Sequence, residues 1–144
     1  MQRTLILLKH DAIDRGLVGE ILARFEKANL RVENCRFLQP DIGHWQRHYA
    51  DLKARQPAAF ERTTRYLAGQ PVVAVILAGN NAIQKARSLM GVTDPLKAAP
   101  GTLRGDWGND SIVLADAEDR ATANLVHAAD SEAAVASEIA LWFA

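Results

Sequence analysis

The chain has 144 residues and a mass of 15.8 kDa. A domain of that size buries roughly 68–70% of its unfolded surface and needs no disulfide or metal to fold. Seventeen Lys and Arg balance seventeen Asp and Glu, which argues against a general nucleic-acid coat but leaves room for a small basic pocket.

A hydrophobic content of 49% with 24% charged residues fits an ordinary globular protein. The lone Cys35 excludes an internal disulfide and a multi-thiolate zinc site. Arg3 and Lys9 bracket an apolar run too short for a signal peptide, and no stretch approaches the ~20 apolar residues of a membrane span. One cytoplasmic domain spanning 1–144, with no membrane partner and no specific nucleic acid, is expected.

Leu5-Ile6-Leu7-Leu8 is too short for a helix and reads as a strand covered on both faces. After Asp14-Arg15-Gly16 the period changes: Leu17, Val18, Ile21, Leu22 and Phe25 share one helical face. Residues 30–38 alternate as a half-exposed strand. Asp41 is placed to cap a helix carrying Trp45, His48 and Tyr49, and Pro57 opens another that runs to about Leu67. Pro71 to Leu77 is a second apolar strand; Asn80 and Asn81 are placed to cap a helix that runs through Met90 and stops at Gly91. Residues 91–111 are rich in Gly and Pro and long for a structureless connection, so they form a candidate functional loop. Ile112-Val113-Leu114 reads as a short strand or as nothing, and 115–123 show no apolar face. A short apolar segment ends at His127. The chain then closes with an amphipathic helix from Ser131 to Phe143, with Val135, Ile139, Leu141, Trp142 and Phe143 inward. Strands alternating with helices give an α/β (α+β) sandwich.

No phosphate-binding glycine loop is present, and no metal cluster stands out. His44 and His48 have the i, i+4 spacing of a zinc pair, but no third ligand accompanies them; two surface histidines are the plainer reading. By itself His127 reads as a satisfied, partly buried histidine at a strand end, and Glu138 as a solvated helix charge.

Spread motifs carry more. TLILLKHDAIDRGLVGEI (4–21), HYADLK (48–53), GQPVVAVILAGNNAI (69–83), ARSLMGVTDPLKAAPGTLRGDWG (86–108) and NLVHAADSEAAVASEIALWF (124–143) occur in order over almost the whole chain. Together they resemble the nucleoside diphosphate kinase family. The resemblance implies a ferredoxin-like sandwich with a four-stranded antiparallel sheet. It implies transfer of a γ-phosphoryl group between nucleoside tri- and diphosphates through a phosphorylated histidine, with Mg2+ on the nucleotide phosphates. It further implies dimers assembled into hexamers or tetramers, with the strand at 30–38 and the helix at 17–27 at the dimer contact.

Residue by residue, the resemblance makes His127 the nucleophile and Glu138 the carboxylate that holds its other ring nitrogen. A neutral imidazole so oriented is a strong nucleophile, and the carboxylate stabilises the cation that develops. Lys9, Tyr49, Arg87, Thr93 and Arg104 match phosphate-binding positions, where fixed donors must meet the charge of the transition state. Asn124 matches a sugar contact assisted by Lys9, and Phe60 is the candidate platform for base stacking, with a plain core role as its alternative.

Three departures stand out. His10 replaces a proline, Ala128-Ala129 replace a Gly-Ser pair after the histidine, and the connection from Asp106 to Asn124 is longer than usual. The rival readings are a catalytically weak or silent nucleotide-binding module and a regulatory domain that uses the fold without nucleotide.

Overall fold

The computed structural model describes all residues, Met1–Ala144. Four strands, β1 (Gln2–Leu8), β2 (Arg31–Leu38), β3 (Val72–Gly79) and β4 (Val126–Ala128), form one antiparallel sheet in the order β2-β3-β1-β4. Helix α2 (Val18–Lys27) joins β1 to β2, and α6 (Ala82–Met90) lies between β3 and β4, which is the ferredoxin-like β-α-β-β-α-β order. Between β2 and β3 run α3 (Ile42–His48), α4 (Ala50–Arg55) and α5 (Pro57–Leu67). Three further short helices are α1 (His10–Asp14), α7 (Leu103–Trp107) and α8 (Ile112–Ala117), and α9 (Glu132–Trp142) closes the chain.

Strand period two divides the core. Ile6, Leu8, Val73, Val75 and Leu77 pack against Ile21 and Phe25 of α2 and Ala82, Ala86 and Met90 of α6. On the opposite face Leu5, Leu7, Val72 and Ala74 meet Trp45, Leu67 and Trp142 from α3, α5 and α9. Both central strands are thus covered twice, as their unbroken apolar runs require. β2 is an edge strand and is more open than its alternation suggests; only Val32 and Leu38 are partly buried.

Asp41 accepts the His44 amide at 2.9 Å and caps α3 as expected, and α5 starts at Pro57. The capping of α6 is different. Asn81 adopts a left-handed backbone (φ 53°) and makes no side-chain cap; Gln2 reaches across from β1 and accepts the Ile83 amide at 3.0 Å. Gly91 ends α6 at φ 87°, and a Cβ there would also strike the Thr102 hydroxyl.

Ile112-Val113-Leu114 is neither strand nor coil. Ser111 caps it by accepting the Leu114 amide at 3.1 Å, Ala115 is fully buried, and the segment folds as α8 despite its exposed β-branched residues. Residues 91–111 also carry local order: Asp94 caps a 3-10 turn at Pro95–Lys97, and Thr102 caps α7.

Candidate active site

β4 delivers the central residue. His127 lies opposite Leu7 in the ladder, so its side chain shares the face covered by Trp45 and Trp142. There its Nε2 meets Glu138 Oε1 of α9 at 2.6 Å. With Glu138 as acceptor the proton sits on Nε2, and Nδ1 keeps the lone pair. Burial is the largest influence on both groups and favours their neutral forms: it pushes His127 well below the usual histidine range and Glu138 up. Lys9, Arg104 and Arg87 press His127 further in the same direction. The outcome is a neutral imidazole with one nitrogen free.

The backbone just before His127 is strained. Leu125 sits at φ 73°, a region that a bulky L-residue seldom adopts. It is held there by its amide bonding to Asp11 Oδ2 (3.0 Å) and its carbonyl accepting the Lys9 amide (2.9 Å). That bend sets Asn124 beside the end of β1. Asn124 Oδ1 accepts from Lys9 Nζ, and its Nδ2 donates to the Thr93 carbonyl at 3.0 Å. Burial lowers the Lys9 ammonium to about 8, so it remains mainly charged at neutral pH.

Arg104 is only 4% exposed. It donates to three backbone carbonyls: Asn124 at 3.0 Å, Gly91 at 3.1 Å and Val126 at 2.5 Å. Two of its five N–H groups are left for an anion. Arg87 is more open and donates to the Ala128 carbonyl at 3.2 Å. Tyr49, at the α3–α4 junction, has its phenol pushed up by burial.

Lys9, Tyr49, Arg87, Thr93, Arg104, Asn124, His127 and Glu138 all line one cleft of about 390 Å³. Phe60 does not join them. Its ring is 3% exposed in α5, it is absent from the cleft wall, and its carbonyl serves the Thr64 hydroxyl. The stacking role is therefore corrected to a core role: the α5 register turns Phe60 inward.

His48 is the residue that sequence reasoning missed. Its side chain is 1% exposed, and its ring stands nearly perpendicular to that of His127 with centroids 4.5 Å apart. The signal was present in HYADLK, where it precedes Tyr49. Its Nδ1 accepts from Trp142 Nε1 at 3.0 Å, which puts its own proton on Nε2. The i, i+4 zinc pair does not form, because His44 packs on Trp142 while His48 turns to His127. His48, His127 and Glu138 do bring three donor atoms within 4.8 Å of one another. The Trp142 bond occupies the free lone pair of His48, however, and Lys9, Arg87 and Arg104 make the surroundings cationic. These surroundings suit an anion better than a metal ion.

A neutral, carboxylate-held histidine facing a ring of fixed cations on a ferredoxin-like frame defines a phosphoryl-transfer site. Known proteins agree. The nucleoside diphosphate kinase family model matches residues 2–144. A nucleoside diphosphate kinase of Pelotomaculum thermopropionicum is 41% identical over 143 residues, covering 99% of this chain and 88% of the relative. One of Pyrococcus furiosus is 38% identical, covering 99% and 83%. Among solved structures, a transition-state mimic of the Borrelia burgdorferi enzyme with vanadate and ADP superposes with a TM-score of 0.96 at 32% identity, covering 99% of this chain and 87% of that one. A Halobacterium salinarum enzyme in complex with CDP gives 0.85 at 35%, covering 99% and 87%. The chain belongs to the nucleoside diphosphate kinase family. No helix is long and apolar enough to cross a membrane.

Proposed function

We infer that the chain, acting as one domain over 1–144, moves the γ-phosphoryl group of a nucleoside triphosphate to a nucleoside diphosphate through His127. The observation that carries this reading is the 2.6 Å bond from His127 Nε2 to Glu138, which leaves Nδ1 as the free nucleophile among Lys9, Arg87 and Arg104. Nδ1 attacks the γ-phosphorus in line, and the bond to the β-phosphate oxygen breaks. The diphosphate leaves with that electron pair on its oxygen. The Nε2 proton stays shared with Glu138, which offsets the positive charge on the ring. A second diphosphate then attacks the phosphohistidine and reverses the step.

Lys9, Arg104, Arg87 and Tyr49 meet the charge spread over the moving oxygens, while Asn124 and Lys9 take the sugar. A divalent cation, Mg2+ by preference, would enter with the nucleotide phosphates, and Asp51 and Asp130 on the cleft wall would offer it hard oxygen ligands. It would neutralise phosphate charge. No observation favours a silent module, since every polar group the transfer needs converges on the cleft.

The open edge of β2, with Phe37 exposed on it, supports pairing with a second copy as the first step toward a hexamer or tetramer. The free thiol of Cys35 suits a reducing cytoplasm.

Steady-state exchange kinetics test the function. Parallel double-reciprocal lines with purine and pyrimidine diphosphates alike are expected. Intersecting lines, or a preference of several orders of magnitude for one base, would overturn it.

A further inference from the structure

The steps above leave the long connection between Trp107 and Asn124 without a task. Within it Asp110 is a buried carboxylate, its side chain 5% exposed, and it touches none of the groups that handle phosphate. It accepts Arg120 Nη1 at 2.6 Å and Nη2 at 3.0 Å, a two-pronged ion pair, and it also takes the Ala123 amide at 2.8 Å. Arg120 is pinned further to Glu118 at 2.8 Å and to the Ala121 carbonyl at 3.2 Å. Between these ends α8 buries Ala115 and leans on α5, where Arg62 meets Asp116 at 3.4 Å and Arg65 donates to the Asp119 carbonyl at 3.1 Å. The excursion is a closed loop with a charged lock at its neck, not slack chain.

The lock holds the approach to the nucleophile. Two carboxylates bracket Asn124: Asp110 binds the amide of Ala123 before it, and Asp11 binds the amide of Leu125 after it. The backbone there takes the left-handed turn at Leu125, a conformation that a bulky L-residue adopts only when its surroundings impose it. The two residues before Ala123, Ala121 and Thr122, line the cleft together with Asn124 and His127. Arg120 has a second effect. A bare carboxylate at Asp110 would repel a polyanion entering the cleft, and the guanidinium cancels it.

We propose that Asp110 and Arg120 are positioning residues for nucleotide binding: their ion pair fixes the Ala123 amide, sets Asn124 against Lys9, and holds the Ala121–Thr122 wall against the nucleoside. The inference rests on the functional reading above and adds the task of the 109–123 connection. Neither Asp110 nor Arg120 lines the cleft, so loss of the lock acts on binding through Ala123 and Asn124.

The test is the split between KM and kcat in Arg120→Gln. KM for ADP rises about ten-fold, equivalent to about 1.4 kcal/mol, while kcat stays within about three-fold. Arg120→Lys restores charge but not the fork, and brings KM back to within about three-fold of wild type. Asp110→Asn added to Arg120→Gln raises KM less than two-fold more, because both act through one lock. A wild-type KM in Arg120→Gln, with only the melting temperature lowered, would reduce the lock to a structural brace and overturn the inference. Equal loss in kcat would overturn it too. Should Arg120→Gln not fold, Arg120→Lys and the Ala123 amide decide: in wild type that proton resists hydrogen exchange, and in Arg120→Lys it exchanges faster as ADP affinity drops. Free exchange in wild type would refute the lock. If wild type takes no phosphate from ATP, the functional reading fails first, and ADP affinity still reads the lock alone.

Discussion

Replacing Glu138 by Gln separates the charge of the orienting group from its shape. Gln can still present a carbonyl oxygen to His127 Nε2, so the tautomer survives while the negative charge that steadies the cationic ring is lost. Hydrogen bonds to charged groups contribute about 1.5–3 kcal/mol, and this one is short at 2.6 Å and partly buried. If that contribution acts in the transition state, self-phosphorylation at saturating ATP slows roughly ten- to hundred-fold. Stability moves the other way. Burial holds Glu138 above the usual carboxylate range, so keeping it ionised works against folding once pH exceeds the unfolded value, and a neutral Gln removes that term. The assay is rapid quench with intact-mass detection, paired with thermal melting at pH 8. A rate loss below about three-fold, or a melting temperature that falls along with the rate, would refute the reasoning.

Burial drives His48 down to about 3, and Trp142 occupies its Nδ1, so the folded state keeps it neutral. Its contribution is complete above about pH 6.5 and is lost as pH falls toward 3. Glu138 acts with opposite sign, since its protonation below about pH 7 favours the fold. His127 is depressed by burial in the same way as His48, so two histidines outweigh one carboxylate. Melting temperature should drop as pH falls below 6, and His48→Gln should flatten that drop; an unchanged slope would sink the assignment. Arg104→Lys leaves two of the three carbonyls without a donor, at least one of them buried, and should cost about 2–4 kcal/mol in urea unfolding as well as activity. Ala129 lies fully buried two residues past His127, and the nearby Ser131 hydroxyl is committed to capping α9 through the Ala134 amide at 3.1 Å. Ala129→Ser should therefore raise exchange by a few-fold, about 1 kcal/mol of better orientation, and should gain little in a Glu138→Gln background.

Where one local signal governs, the sequence was readable. The run at Leu5–Leu8 reads as a doubly covered strand and Pro71–Leu77 as a second apolar strand, Asp41 and Pro57 mark helix starts, and Gly91 a stop. Failures came where a distant group replaced a local one. Asn81 does not cap α6, because Gln2 of a different strand does so. The β-branched run at Ile112 became helix because Ser111 and buried Ala115 outweigh strand propensity when no neighbouring strand is in reach. At the site, motif positions for His127, Glu138, Lys9, Arg87, Thr93, Arg104, Tyr49 and Asn124 converge on one cleft. Phe60 did not, since the facing of a helix residue depends on a register that alignment through ARQPAAF leaves free to slide. The Asp110–Arg120 lock and the turn at Leu125 have no sequence signature; both arise from chain geometry in three dimensions.

The central claim is that His127 carries the phosphoryl group. Pure protein incubated with ATP and Mg2+ should gain one phosphate by intact mass, lost in acid and stable in alkali, and transferable to any added nucleoside diphosphate. His127→Ala should take up none while keeping its melting temperature within a few degrees. Phosphate on that variant, at His10, His44, His48 or a hydroxyl, would contradict the account, as would wild type that binds ATP and never gains mass.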